Sequence, residues 1–176
     1  MTTTSVRRDA SVEARGRERT NRILVGLLRF GVASLWIGNV GWKRPPDFES
    51  LRKYTTDAIT YPVFRPYGSL VEHLVLPHFT FFAWMTVLVE ASLGAFLMIG
   101  LGTRLWALIG IAQCIVITLS ARNAPHEWEW SYYLMILAHV AVFATYAGRS
   151  FGLDGVMRPI WRRSRGWLPR TMLKIS

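Results

Sequence analysis

Cysteine is nearly missing from this chain. Its 176 residues hold one, Cys114, inside an apolar run. A single thiol excludes an intrachain disulfide, a CxxC redox pair and a thiolate metal cage. Histidine is scarce as well, at four. Only His139 falls within an apolar run, which excludes a haem held between two intramembrane imidazoles. GxSxG, Walker and HExxH motifs are all absent, so no nucleophile elbow, phosphate loop or zincin helix is on offer. Acids number 11 against 21 Lys and Arg, a net charge of +10. Such a charge could suit nucleic acid. The basic residues, however, sit in tails that flank apolar runs, where anionic lipid and insertion topology account for them. No nucleic-acid partner is expected.

What is present is apolar. The chain is 51% hydrophobic and 18% charged, with eight Trp. Long apolar runs between basic tails mark an integral membrane protein. The pattern predicts an all-α fold: a four-transmembrane-helix bundle with short interfacial helices in the first outer loop. Residues 1–22 read as a disordered basic tail, too long and too charged for an ordinary signal-peptide start. The spans fall at about 23–40, 79–101, 104–121 and 130–147, with a second basic tail over 149–176. The first span's eighteen residues cover roughly 27 Å, close to the hydrocarbon thickness.

Between the first two spans, Asp47 is placed to cap a short helix with Phe48, Leu51, Thr55 and Ile59 on one face. Pro66 opens a second, and both should lie along the membrane surface. Gly102-Thr103 permits only a tight hairpin, and Gly148 closes the fourth span. Trp161 and Trp167 serve as interfacial anchors. Lys and Arg beside the spans number fourteen on the side of the two tails and Arg104, against six opposite. The positive-inside bias therefore puts both termini in the cytoplasm of a multi-pass cell-membrane protein.

Four polar side chains interrupt the spans: Arg29, Glu90, Gln113 and His139. Counted from the cytoplasmic helix ends they lie at depths of roughly 9, 16, 13 and 12 Å. One layer could hold all four, with Arg29 reaching toward Glu90. A charged group at a helix centre costs about 2.5–3.5 kcal/mol on insertion scales, so it turns inward and finds a partner. This layer supports two readings. One is a quinone head-group or proton site. The other is a set of hydrogen bonds that fixes helix register. Gly94 beside Glu90 points to close helix packing, Gln113 to interhelical bonding, and Cys114 to a small core residue. On the outer face His73, His78, His126 and Glu127 are enough ligands for zinc or copper. Their spacing matches no ligand motif, so no metal is expected.

The run Glu90-x3-Gly94-x5-Gly100-Leu101-x-Thr103-Arg104 resembles the DoxX/DoxD-like membrane proteins. So do the first span, with Arg29 and a Gly41-Trp42-Lys43 ending, and the segment from His126-Glu127-Trp128 to Gly148-Arg149-Ser150-Phe151-Gly152-Leu153-Asp154. The resemblance covers roughly residues 22–156. It implies a four-helix membrane bundle and association with redox chemistry. The namesake is a membrane subunit of a thiosulfate:quinone oxidoreductase. The resemblance supplies no agreed catalytic set. It carries over only motif positions: Glu90, Gly94, Arg104, Gly148, Arg149 and Asp154. Arg104 and Arg149 can equally be topology anchors, and Asp154 a local cap.

The resulting expectation is a DoxX-like membrane subunit of a quinone- or thiol-linked oxidoreductase complex, partnered by lipids and by other subunits, with quinone as its candidate cofactor. A non-catalytic scaffold or assembly factor is the alternative. A small-solute transporter is weaker, because no span is broken at its middle and no repeat is visible.

Overall fold

The computed structural model describes residues 3–125 and 127–176, with side chains from Glu13 onward. His126 lies outside the described residues. Among these residues every regular element is helical.

Helix α1 runs Thr3–Val40. The disorder expected before Ile23 is not what the structure shows, because α1 continues through that segment. The stretch has no proline and a single glycine, and it sets Glu13 before Arg17 and Glu18 before Arg22 at the i,i+4 spacing that favours a helix. Helix α2 spans Glu49–Thr60 and α3 spans Arg65–Leu70, continuing as a π turn over Val71–Val75. Pro66 does sit in the first turn of α3. Asp47 does not cap α2; Phe48 takes the N-cap position, with φ 48° and no side-chain cap bond. The Phe48 ring is buried at 1% exposure and meets Trp84 edge-on at 5.3 Å. Burying a large apolar side chain is worth about 1.5–3 kcal/mol, more than the ~1 kcal/mol of a side-chain cap.

Helix α4 runs Phe79–Ile99, α5 Thr103–Ala121 and α6 Glu129–Ala144. α4 and α5 are joined by the expected hairpin, in which Gly100 and Gly102 take φ of 69° and 61°. Phe96 stacks on Trp106 across it, with centroids 4.6 Å apart. Gly148 does not end α6. That helix stops at Ala144, Tyr146 turns the chain at φ 51°, and a 3-10 turn covers Ala147–Arg149. Gly148 is instead buried in a contact described below. α7 (Leu153–Arg163) and α8 (Trp167–Ile175) follow.

α1 packs on α4 and α6, α5 packs on α4 and α6, and α2 lies against α5. Their shared core is Trp36, Leu93, Leu97, Ala107 and Val142. Gly94 brings α1 and α4 together: a Cβ there would stand 2.7 Å from Ile37 Cγ1.

The outside of this core is apolar. Leu24, Leu27, Leu35, Phe81, Leu88, Leu134 and Leu137 are all half or more exposed. A continuous outer surface of that kind belongs in hydrocarbon, not water. Residues 13–40 of α1, together with α4 and α5, are long and apolar enough to cross a membrane. α6 is apolar but shorter, at 16 residues.

Candidate functional site

The four polar residues of the spans do not form one layer. They separate into three places.

The first is centred on Glu90, near the middle of α4 and wholly buried. Its partner is Lys43, not Arg29. Lys43 Nζ donates to Glu90 Oε2 at 2.6 Å and to the Asn39 carbonyl at 3.0 Å. Asn39 Nδ2 donates to the same carboxylate at 3.2 Å, and Gln113 Nε2 reaches Oε1 at 3.2 Å from α5. Lys43 lies beyond the end of α1, and its long stem lets the ammonium turn back into the protein. Burial holds that ammonium below the ordinary lysine range, while the charge on Glu90 opposes the shift. Trp42 closes the group, with its indole N–H on Asn39 Oδ1 and its ring 4.1 Å from Nζ.

The second place is Arg29, also wholly buried. Its guanidinium donates to the carbonyls of Leu97 and Met98 at the C-terminus of α4 and to that of Phe151 at 3.1 Å. Unpaired carbonyls at a helix C-terminus are a natural cation site. They lie within reach of Arg29, which is why it extends away from Glu90. Asp154 completes this end of the molecule. Its two oxygens accept from the Gly102 and Thr103 amides at 2.8 and 2.9 Å, capping α5. Asp154 is therefore a cap across fifty residues of sequence, not a local one. Gly148 packs against it: a Cβ there would fall 2.1 Å from Thr103 Oγ1 and 2.3 Å from Asp154 Oδ2. Arg104 and Arg149 lie nearby, each over the Tyr146 ring, at 4.6 and 3.8 Å.

The third place is His139. Its Nδ1 donates to the Met135 carbonyl at 2.7 Å, and its Nε2 accepts from Trp36 Nε1 at 2.8 Å. Both ring nitrogens are satisfied by a neutral imidazole. Gly110 makes room for the ring, since a Cβ there would sit 2.2 Å from Cδ2. Gly110→Ala is accordingly expected to destabilise the protein by about 1–3 kcal/mol, the usual cost of overpacking a core. Thermal unfolding in detergent, with Gly31→Ala at an open position as control, measures it.

A cavity of about 580 Å³ stands over the first place. Lys43, Glu90 and Gln113 form its polar floor. Trp42, Tyr54, Tyr67, Phe79, Phe82 and Tyr132 supply aromatic walls. α2 and α3 roof it. Tyr67 OH is 2.8 Å from Ser120 Oγ, and Asn123 Nδ2 donates to the Pro62 carbonyl at 3.1 Å. At the rim Tyr132 OH donates to Glu127 Oε2 at 2.5 Å. Neither Arg29 nor His139 lines this space. Lys43 and Asn39 are the residues that sequence reasoning missed. Their signal was the i, i+3, i+4 set Asn39, Trp42, Lys43, which puts three polar groups on one side of a helix end.

Among the described residues no cluster of three His, Cys, Asp or Glu is placed to hold a metal ion. The cavity has the size and lining typical of small-molecule sites: mostly apolar, with few convergent polar groups.

Apolar side chains outward, charged side chains buried with partners, and helices of spanning length define a multi-pass membrane protein. The model of the family described as DoxD, TQO small subunit DoxD, matches residues 58–173. The chain belongs to the DoxD family. No curated protein and no solved structure matches it.

Proposed function

We propose that this protein is a membrane subunit of a quinone-linked oxidoreductase and that the aromatic cavity receives the quinone head group. α6 is the fourth span, completing a four-helix bundle with α2 and α3 on its outer face and both termini in the cytoplasm. The other subunits of the complex are its partners and the source of electrons. The observation that carries this reading is the buried Lys43–Glu90 pair, joined by Gln113, at the floor of an aromatic-walled cavity. Membership of a family described as the TQO small subunit supports it.

A quinone ring needs flat apolar walls, a donor for each carbonyl it presents, and a proton source. The walls are the tryptophan, tyrosine and phenylalanine rings. Gln113 Nε2 and the remaining N–H of Lys43 can donate. Glu90, linked to both, can give and recover a proton. The substrate quinone takes two electrons from the partner subunit and two protons drawn from solvent water, one relayed by Glu90 and the other through the Lys43 ammonium, to leave as quinol. General acid–base groups of this kind contribute about 10²–10⁴-fold to rate.

Glu90→Gln is therefore expected to lower quinone-dependent turnover of the intact membrane complex by about 100-fold. The assay follows quinone reduction in membranes with matched protein content. Unchanged turnover at normal expression would remove Glu90, and with it this reading, from the reaction.

A further inference from the structure

A second groove, unrelated to the quinone site, lies at the opposite end of α1. We propose that it is a binding site for an anionic phospholipid, formed by Arg15, Arg19 and Arg22 of α1 and by Phe151. It has a volume of about 360 Å³ and also touches Glu18.

One face of α1 runs Arg15, Arg19, Arg22, Gly26, Arg29, Ala33 at alternating steps of four and three, so these residues stack along a single stripe. Arg29 and Ala33 are fully buried in the protein. Past Gly26 the stripe leaves the core, and the turn bearing Phe151 lies alongside. The Phe151 ring packs so closely that a Cβ on Gly26 would stand 3.0 Å from Cδ2. Arg22 lies over the same ring at 5.7 Å. Phe151 holds a φ of 56° and is 61% exposed. A left-handed conformation costs a non-glycine residue about 1–3 kcal/mol and persists where the surroundings fix it. Here it sets an apolar ring in the open beside three guanidiniums. Among the described residues the ion pairs are Lys43–Glu90 and Arg122–Glu129, and no described acid forms one with these arginines.

The dimensions select a lipid. Ile23 and Leu24, 41% and 60% exposed, begin the apolar surface directly after Arg22. At about 1.5 Å per residue, Arg19 stands roughly 4.5 Å and Arg15 roughly 10.5 Å beyond Arg22. Headgroup layers extend about 5–7 Å past the hydrocarbon on each side. Arg22 and Arg19 thus sit at phosphate level, and Arg15 stands a few ångströms beyond it, from where its long side chain reaches back. The phosphate meets the arginines, and the first acyl carbons meet Phe151 and the start of the span. A free phosphate ion would make no use of the exposed ring.

The test uses the full chain in neutral detergent, titrated with phosphatidylglycerol, phosphatidylcholine or inorganic phosphate, with bound lipid read by native mass spectrometry. Phosphatidylglycerol is expected to bind and phosphatidylcholine to bind far less. The triple variant R15Q/R19Q/R22Q should weaken phosphatidylglycerol about 100-fold, at about fivefold for each arginine near a membrane surface. Phe151→Ala, which leaves the charge unchanged, should weaken it several-fold. R162Q/R163Q/R165Q removes the same charge elsewhere and should change it less than threefold. Equal losses in the two triple variants, or equal binding of the two lipids, would overturn a specific site. Displacement of the lipid by millimolar inorganic phosphate, with no effect of Phe151→Ala, would overturn a lipid occupant.

Discussion

Lys43→Met in an otherwise unchanged chain is expected to destabilise the protein by about 3–5 kcal/mol, the usual cost of stranding one member of a buried ion pair. Glu90 would lose its shortest hydrogen bond and keep only the two amide donors, Asn39 and Gln113. The carboxylate is wholly buried at the floor of the cavity, and water entering there cannot supply the ammonium's charge. The double variant K43M/E90Q removes both charges and keeps a polar group for Asn39 and Gln113. It should recover most of the lost stability, because replacing a buried pair by neutral groups of similar volume is often neutral or favourable. Thermal unfolding of the three proteins in one detergent measures the cycle. A double variant as unstable as Lys43→Met would mean that the charges themselves hold the helices. The same double variant also separates structure from chemistry. Stable protein without quinone-dependent turnover is the outcome that the proposed role of Glu90 requires.

The second large effect is expected at the other end of the helices. Gly148→Ala places a methyl group where Thr103 Oγ1 and Asp154 Oδ2 now stand. Thr103 and Asp154 are fully buried and cannot give way into solvent. The carboxylate must retreat from the Gly102 and Thr103 amides, so overpacking and cap loss act together. Overpacking costs about 1–3 kcal/mol, and a lost N-cap costs about 0.5–2 kcal/mol. A loss of about 3 kcal/mol is expected in unfolding experiments. Asp154→Ala, which opens space but removes the cap, should cost less. If Gly148→Ala proved neutral, the contact between the 3-10 turn and α5 would not be the tight one described.

The parts of this protein set by local periodicity were legible in its sequence. Long apolar runs marked the long helices, and Gly102-Thr103 marked the hairpin. Gly94 was expected to bring helices close, and it does. Gln113 was expected to bond between helices, and it bonds to Glu90. What failed was the assignment of partners. Depth counted along a helix locates a Cα, whereas lysine and arginine deliver charge several ångströms from it. Arg29 and Lys43 both do so, in opposite senses. Arg29 turned to the carbonyls at the end of α4. Lys43, outside any span and noted only in the Gly41-Trp42-Lys43 ending of the first, reached in to Glu90. Gly148 misled for a related reason. Its position suggested a helix stop, but its need for space comes from Thr103 and Asp154, forty or more residues away and close by, respectively.

The cap on α5 also has a bearing on the order of biosynthesis. Gly102 precedes Asp154 by 52 residues. Translation at about 5–20 residues per second delays the carboxylate by roughly 3–10 s after the amides it will bind. During that interval the α4–α5 hairpin is present with its turn uncapped, and Arg29 waits for the Ser150–Phe151 carbonyls. This end of the protein can close only when residues through Asp154 have left the ribosome, so the α4–α5 turn is made before the carboxylate that caps it.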